Sequence, residues 1–275
     1  MNYERAMPSG TTKAQIARRL VDVLEFFDKD HPEVTVTELV RRFDWPQSST
    51  SELLTMLVEL GLLYKDRSSR IYWLTPRAAL LGSNVQPGMV RDGRLNALMD
   101  SLTAQTGLGV GIFGMVELSA QVYSWCPGRR KLRCVKAAQS GIRGGEQEHL
   151  YNSAAGLLLL STVPQPKRES MIRHMNAEAE PEQRFAVADL SARVQQCRVQ
   201  GYATGEAGFG MIADVTAVLL PGLPESRPLA IGFAYERSDQ IDAKKLLSTL
   251  QNAIARSIAE SAPDIVDARR LLSGA

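Results

Sequence analysis

Apolar residues recur every three or four positions near the start of the chain, with charged residues between them. From Lys13 to Asp28 this spacing predicts an amphipathic helix, which Pro32 follows closely. Its apolar face consists of Ile16, Leu20, Val23, Leu24 and Phe27. The pattern therefore predicts a first helix that packs one face against a core.

A second, shorter helix is predicted to begin after Thr35. Thr35 and Glu38 have the spacing of a capping box, in which each side chain accepts a hydrogen bond from the other residue's backbone amide. Asp44, Trp45 and Pro46 follow the last apolar position, and a proline cannot continue a helix interior. We expect this helix to end there.

A third helix is predicted directly after Pro46, which suits a first helical turn. We expect Ser48 or Ser49 to cap its exposed amides, and Gly61 to end it. Its predicted apolar face is Thr50, Leu53, Leu54, Leu57 and Leu60. The opposite face carries short hydroxyl and amide groups and one carboxylate: Gln47, Ser48, Ser51, Glu52 and Thr55. Such a face can approach a DNA groove closely, but an ordinary solvated helix surface has the same composition.

Two β-prone runs, Leu62–Lys65 and Ile71–Leu74, flank a polar segment and predict a hairpin after the third helix. Lys65, Arg67 and Arg70 lie at or near its tip, where they could neutralise DNA phosphates. Three helices followed by a hairpin are typical of a winged helix-turn-helix.

The pattern changes to alternating strands and helices after a turn-rich boundary at residues 82–88. Pro76–Leu81 and Val90–Thr106 are predicted helices on either side of it, with Leu95, Leu98, Met99 and Leu102 as the core stripe of the second. The predicted strands are Val110–Phe113, Leu118–Trp125, Leu132–Val135, Met211–Leu220 and Leu229–Tyr235. Further helices are predicted at Asn152–Leu160, Glu182–Gln200 and Asp242–Ser261. These elements predict an α+β domain with an antiparallel sheet.

Two glycine-containing segments are candidates for ligand binding. Gly109–Gly114 matches the dinucleotide fingerprint, but no strand leads into it and no helix pattern follows, so we interpret it as part of a strand. Asn152–Gly156 opens an apolar helix with small residues, whose bare amides could hold a carboxylate. Close packing of that helix on the sheet is the competing interpretation.

Composition excludes some functional classes. The formal net charge is +2, and between Thr11 and Leu80 ten Lys or Arg balance ten Asp or Glu, so DNA affinity per protomer is expected to be modest. Cys126, Cys134 and Cys197 lack metal or redox spacing, and no catalytic motif is present, so we expect neither a metal or other cofactor nor an enzyme. No apolar run approaches the roughly 20 residues of a membrane span, so we expect a cytoplasmic protein.

The residues resemble the isocitrate lyase regulator (IclR) family of bacterial transcription factors, from about Lys13 to Ser261. Trp45–Thr50 looks like the family's recognition-helix opening, and Gly61–Leu63 with Tyr72–Leu74 like its hairpin. In the second half, Asn152–Gly156 and Gln200–Ala213 resemble stretches that line the family's effector pocket.

The resemblance implies a winged helix-turn-helix domain (1–81), a linker (82–92) and a GAF-like effector-binding domain (93–275). It implies dimers, or dimers of dimers, that bind a palindromic operator in double-stranded DNA and respond to a small-molecule effector. The expected DNA-binding residues are Arg41, Arg42, Gln47, Ser48, Ser49, Ser51, Thr55, Lys65, Arg67 and Arg70. The expected effector-binding residues are Ser153, Ala154, Ala155, Gly156, Glu206, Met211, Gly232 and Ala234.

Two departures from the family pattern affect the expected effector. The stretch from Tyr202 to Ala213 is shorter than usual, which puts the pocket position of Glu206 in question. Gly232 and Ala234 stand where the family often has serines. Because a buried carboxylate without hydrogen-bond partners is costly, we expect a larger, more apolar and aromatic organic acid. The alternatives are a degenerate pocket without ligand and a protein-interaction module that no longer binds DNA.

Overall fold

The computed structural model describes residues 12–28, 30–66, 68–82, 86–134, 142, 144–223, 227–237 and 241–259. The chain divides into two compact units, Met1–Gln86 and Pro87–Ala275. In the described parts, no helix is both long enough and apolar enough to span a bilayer.

The N-terminal unit combines helices with a small antiparallel sheet. Its elements are α1 (Thr12–Phe26), β1 (Glu33–Val34), α2 (Val36–Phe43), α3 (Gln47–Glu59), β2 (Leu63–Lys65), β3 (Tyr72–Leu74) and α4 (Pro76–Leu80). The strand order is β1-β3-β2. The predicted winged helix-turn-helix is confirmed, with β1 as a third strand that the sequence pattern did not predict.

Local signals place the ends of α2 as predicted. The Glu38 amide donates to Thr35 Oγ1 at 3.3 Å and the Thr35 amide donates to Glu38 Oε2 at 2.7 Å, so the capping box is complete. Asp44 adopts a left-handed conformation (φ 54°) and its amide closes the helix on the Val40 carbonyl. The chain can therefore turn at once into α3.

The core of the N-terminal unit is built from α1, α2, α3 and the hairpin. Its fully buried side chains include Val23, Leu39, Leu54, Leu57 and Tyr72. Two predicted core positions are wrong. Ile16 is 43% exposed and belongs to a stretch of α1, residues 14–18, that is exposed throughout. Leu60 is 50% exposed because it is the C-terminal cap of α3, where the chain leaves the helical path.

The C-terminal unit is an antiparallel sheet with helices on both faces. Its helices are α5 (Gly88–Arg91), α6 (Arg94–Thr106), α7 (Ala154–Ser161), α8 (Lys167–Glu178), α9 (Val187–Gln200) and α10 (Ala243–Ala259). Its strands are β4 (Gly109–Val116), β5 (Ser119–Cys126), β6 (Gln147–His149), β7 (Tyr202–Glu206), β8 (Asp214–Leu219) and β9 (Leu229–Tyr235). Among the described residues the sheet order is β6-β5-β4-β9-β8-β7.

The two faces of this sheet contribute to separate hydrophobic clusters. One contains Leu158 of α7, Ile172 of α8 and Val194 of α9. The other contains Leu102 of α6 and Leu250 of α10. The predicted core stripe of α6 is confirmed, since Leu95, Leu98, Met99 and Leu102 are all buried. The predicted α+β class is therefore confirmed.

Several predicted boundaries are wrong. The helix expected from Val90 is interrupted by Gly93 (φ +78°), so α5 and α6 are separate. In place of the strand expected at Leu132, Cys134 forms only an isolated bridge to Met211, and Val135 lies outside the described residues. β6, β7 and α8 were not predicted as elements, because β6 and β7 are short edge strands with polar residues and α8 has a weak apolar stripe.

The glycines of the apparent dinucleotide motif lie within β4, so the strand interpretation is confirmed. The strand has a register irregularity between Ile112 and Phe113. Its glycines also admit large side chains, since a Cβ on Gly111 would lie 2.6 Å from the Phe113 ring and one on Gly114 would overlap the Tyr123 ring.

Helix α7 is buried along its whole length, because it packs against the sheet and α9. Gly156 allows its closest contact. A Cβ at this position would overlap the Leu150 carbonyl oxygen, which is backbone and cannot rotate away. Close packing therefore leaves room only for glycine at position 156.

We expect Gly156→Ala to destabilise the C-terminal unit by about 1–3 kcal/mol, because an added methyl group in a close-packed interior forces a backbone shift. Urea unfolding followed by circular dichroism measures this change. Gly88→Ala is the matched control, since its added Cβ would lie at an ordinary 3.6 Å from the Arg94 side chain. Equal midpoints for both variants would show that Gly156 is not a packing constraint.

Candidate DNA-binding surface and effector region

The polar face of α3 is directed away from its buried face. Thr50, Leu53, Leu54 and Leu57 are buried, whereas Gln47, Ser48 and Thr55 are exposed and Ser51 is half-buried. The predicted DNA-reading residues are thus brought together on one accessible side of a helix that its own core holds in place.

The expected capping role of the α3 serines is not observed. Pro46 is the N-cap residue and has no side-chain acceptor. Ser49 Oγ and Thr50 Oγ1 instead donate to the Pro46 carbonyl at 3.1 and 2.9 Å. Both residues follow Pro46 within the first helical turn, where a hydroxyl reaches a preceding carbonyl more readily than a free amide. Thr55 Oγ1 likewise donates to the Ser51 carbonyl at 2.9 Å.

Arginines lie on both of the helices that precede α3, and one of them contacts it. Arg41 and Arg42 are exposed in the last turn of α2. Arg19 of α1, which the sequence pattern placed on the solvent side, donates from Nη1 to Ser49 Oγ at 3.2 Å and lies over the Trp45 ring. Arg19 is a residue that the sequence reasoning missed, because no local spacing relates α1 to the start of α3.

The tip of the hairpin is organised by Asp66. Its carboxylate accepts from the Ser68 amide at 2.9 Å, from Ser68 Oγ at 2.8 Å and from Ser69 Oγ at 2.7 Å. These hydrogen bonds, the Ser68 amide foremost, lower the pKa of Asp66 to about 2. Arg70 is exposed in a left-handed conformation (φ 59°) and Lys65 lies over the Tyr72 ring at 5.2 Å. Arg67 lies outside the described residues.

Most of the predicted effector-binding residues are packed into the interior of the C-terminal unit. Ser153 is the N-cap of α7 and its Oγ accepts from the Gly156 amide at 3.0 Å. Ala154, Ala155 and Gly156 are buried in the first turn of α7. Met211, Gly232 and Ala234 are also buried. Gly232 pairs with Gly111 on one neighbouring strand and with Ala217 on the other.

Phe209, which was not among the predicted residues, lies in the same cluster. Its ring stacks on Phe113 with centroids 5.7 Å apart, and the side chain is only 9% exposed. Gly208, Phe209 and Gly210 all have left-handed backbone conformations, with φ values of +75°, +54° and +68°. The Gly-Phe-Gly sequence is a signal of unusual backbone that a closer reading could have used.

Glu206 is exposed at the end of β7, where it lines an open cleft of about 210 Å³ between α7, α9 and β7. Ser153 and Ala154 line the same cleft, so three of the predicted effector-binding residues are brought together there. Tyr151 and Arg193 line the same cleft. Tyr151 Oη is buried without a hydrogen-bond partner among the described residues, and burial raises the pKa of this phenol, with a contribution from Glu148. The described part of the chain contains no cluster of side chains suited to a metal ion.

A winged helix-turn-helix joined in sequence to an α+β domain defines a class of two-domain DNA-binding proteins. Among curated proteins, no sequence matches the chain. Residues 17–67 match the model of the IclR helix-turn-helix domain. The N-terminal unit therefore contains an IclR-type helix-turn-helix domain.

Solved structures share this fold at low sequence identity. IclR of Thermotoga maritima is 16% identical, with 89% of this chain and 96% of that one covered and a TM-score of 0.51. An IclR regulator from Alicyclobacillus acidocaldarius is 18% identical, with 90% and 97% covered and a TM-score of 0.55. An IclR homolog from Microbacterium hydrocarbonoxydans, in complex with 4-hydroxybenzoate, is 16% identical, with 89% and 99% covered and a TM-score of 0.53.

The hairpin tip gives a prediction for pH dependence. We expect the Asp66 carboxyl to titrate near pH 2 in an NMR experiment, and Ser68→Ala to move its pKa part of the way toward the ordinary 3.8, because the variant loses the hydroxyl donor and keeps the backbone amide. Because the folded-state pKa is lowered, the tip hydrogen bonds are present above pH 3.8 and are lost as the pH falls through about 2. An unchanged pKa in the Ser68 variant would contradict the contribution of the Ser68 hydroxyl, and a full return to 3.8 would contradict the leading role of the amide.

Proposed function

We propose that this regulator reads operator DNA with the exposed polar face of α3 placed in the major groove. The observation that carries the proposal is that α3 has two distinct faces: its apolar face is buried, while Gln47, Ser48 and Thr55 are exposed. A helix held in this way can approach base edges without losing its own packing.

The hydrogen bonds within α3 limit what each side chain can recognise. The Thr55 proton is directed to the Ser51 carbonyl, so its oxygen remains as an acceptor, suited to the amino groups of adenine or cytosine. The Gln47 and Ser48 side chains form no such hydrogen bond among the described residues, and their polar groups can both donate and accept. Ser49 is engaged by Arg19 and contributes less directly.

The groups that would contact the DNA backbone are the exposed arginines of α2 and the basic residues of the hairpin. Arg41, Arg42, Lys65, Arg67 and Arg70 would contact phosphates, which fixes the position of α3 but carries no sequence information. Because the domain has balanced charge, two protomers on a palindromic site would supply the affinity that one protomer lacks.

We infer that the effector is an aromatic organic acid that takes the place of the Phe209 ring. The packing around Phe209 supports this, since Phe113 offers a stacking surface and Gly232 and Ala234 offer no hydroxyl group to a small polar acid. The 4-hydroxybenzoate complex of the Microbacterium homolog is in keeping with an aromatic acid.

The backbone of the Phe209 segment supports exchange of one ring for another. A residue with a Cβ costs about 1–2 kcal/mol in the left-handed region, so release of Phe209 recovers part of the packing that it loses. An acid that binds only the released conformation would shift the population toward it, and any change in DNA affinity would follow from that shift.

The second candidate is a protein-interaction module that has lost DNA binding and has no ligand response, which the balanced charge of the N-terminal domain favours. A gel-shift experiment with DNA from upstream of the protein's own gene separates the two functions. Salt-sensitive and sequence-preferring binding supports the regulator. Loss of binding even at low salt would support the module.

We expect residues that contact base edges and residues that contact phosphates to respond differently to substitution. Ser51→Ala or Thr55→Ala should change the preferred sequence at one position, by about 1–3 kcal/mol of discrimination. Arg70→Ala or Lys65→Ala should weaken binding to all sequences and reduce the salt slope by about 1. Selection from a randomised duplex pool, followed by anisotropy at several salt concentrations, measures both. Equal losses on all duplexes from both sets would contradict the division of roles.

We expect Phe209→Ala to bind 4-hydroxybenzoate at least about tenfold more tightly than the wild type, because the competing ring is absent. Isothermal titration calorimetry measures the affinities, with pyruvate as a short polar acid. Phe233→Ala is the matched control, since Phe233 is fully buried in the cluster with α6 and α10. Equal affinities of the wild type and Phe209→Ala, or binding of pyruvate alone, would contradict the exchange.

A further inference from the structure

Arg19 joins α1 to both sides of the turn that precedes α3. Its Nη1 donates to Ser49 Oγ at 3.2 Å, and its guanidinium carbon lies 5.0 Å from the centroid of the Trp45 ring. One side chain therefore holds the last residues of the turn and the first turn of the recognition helix at the same time.

The groups that Arg19 contacts are themselves fixed by the rest of the domain. Trp45 stacks on Phe43 at 4.4 Å with an interplanar angle of 15°, and Phe43 contacts Phe26 of α1 edge to face at 6.0 Å. Ser49 Oγ donates onward to the Pro46 carbonyl at 3.1 Å. A continuous path of contacts thus runs from α1 through Arg19 to the start of α3.

The position of Arg19 is unfavourable for the stability of α3 on its own. A positive charge at a helix N-terminus opposes the helix dipole, and the first turn of α3 has no acidic residue to offset it. Pro46 also provides no side-chain cap. The position is better explained by geometry, because the guanidinium can hydrogen bond with its edge while its face covers an aromatic ring.

We propose that Arg19 is a positioning residue for DNA recognition, which sets where α3 begins and how its polar face is rotated. It takes the place of the missing N-terminal cap as the tether of the first turn. Gln47 and Ser48 belong to that first turn, so their placement depends on the tether most directly. The proposal rests on α3 as the reading helix and assigns the residue that orients it.

The test compares discrimination between two duplexes rather than affinity alone. The duplex that the wild type selects from a randomised pool and a scrambled duplex of equal length are titrated with Arg19→Ala, Arg19→Lys and Arg18→Ala by fluorescence anisotropy. Arg18 is the matched control, because it is the neighbouring arginine of α1, is exposed and carries the same charge.

Arg19→Ala is expected to lower the ratio of the two affinities at least about tenfold while its affinity for the scrambled duplex changes little. Arg18→Ala should leave the ratio unchanged. Arg19→Lys should give an intermediate ratio, because an ammonium group can still lie over the Trp45 ring but lacks the planar set of N–H donors of a guanidinium. Ser49→Ala removes the hydrogen bond from Arg19 but keeps the cation over Trp45, so we expect a smaller loss of discrimination. If Arg19→Ala does not fold, the Ser49→Ala variant tests the positioning role of Arg19.

Other outcomes overturn the assignment. Arg19→Ala that weakens both duplexes equally and lowers the salt slope by about 1 would make Arg19 a simple phosphate contact. Unchanged binding in Arg19→Ala, or unchanged discrimination in Ser49→Ala where that variant decides, would show that the contacts have no positioning role. If the wild-type protein does not discriminate between the two duplexes, both the reading role of α3 and this assignment are overturned. If the wild type discriminates and Arg19→Ala has the same ratio of affinities as the wild type, only this assignment is overturned.

Discussion

Burial of one face of α3 is the constraint on which the DNA-binding unit depends. Leu54 and Leu57 are fully buried between α1, α2 and the hairpin, so α3 cannot rotate without opening the core. The same burial leaves the residues on the other side accessible. Stability and the proposed recognition therefore use opposite faces of a single helix, so substitutions on the polar face are expected to cost little in folding.

The first turn of α3 shows how this constraint extends beyond packing. The turn lacks a side-chain cap, and Arg19 supplies contacts from a different helix instead. Side chains from α1 and α2 thus contact the start of the helix that we propose reads DNA. This arrangement links the placement of the proposed reading residues to the core of the unit.

The C-terminal unit follows a different principle, in which small residues allow close approach of larger groups. Gly156 admits the Leu150 backbone and Gly111 admits the Phe113 ring. Phe209 fills the remaining space from a segment with left-handed backbone. Because tight packing is achieved here with a conformationally costly residue, Phe209 is the position that we propose an effector replaces.

The sequence by itself determined the winged helix-turn-helix, the capping box at Thr35 and the α+β class, because local periodicity and capping depend on residues close in the chain. The tertiary structure decided the rest. It placed Arg19 beside Ser49 and exposed Leu60 at a helix end. It brought Glu206 to a cleft with Ser153 and Ala154, and Phe209 into the hydrophobic cluster of α7. Each of these outcomes depends on contacts between residues distant in sequence or on where the chain leaves a helix, and such contacts leave no periodic signal.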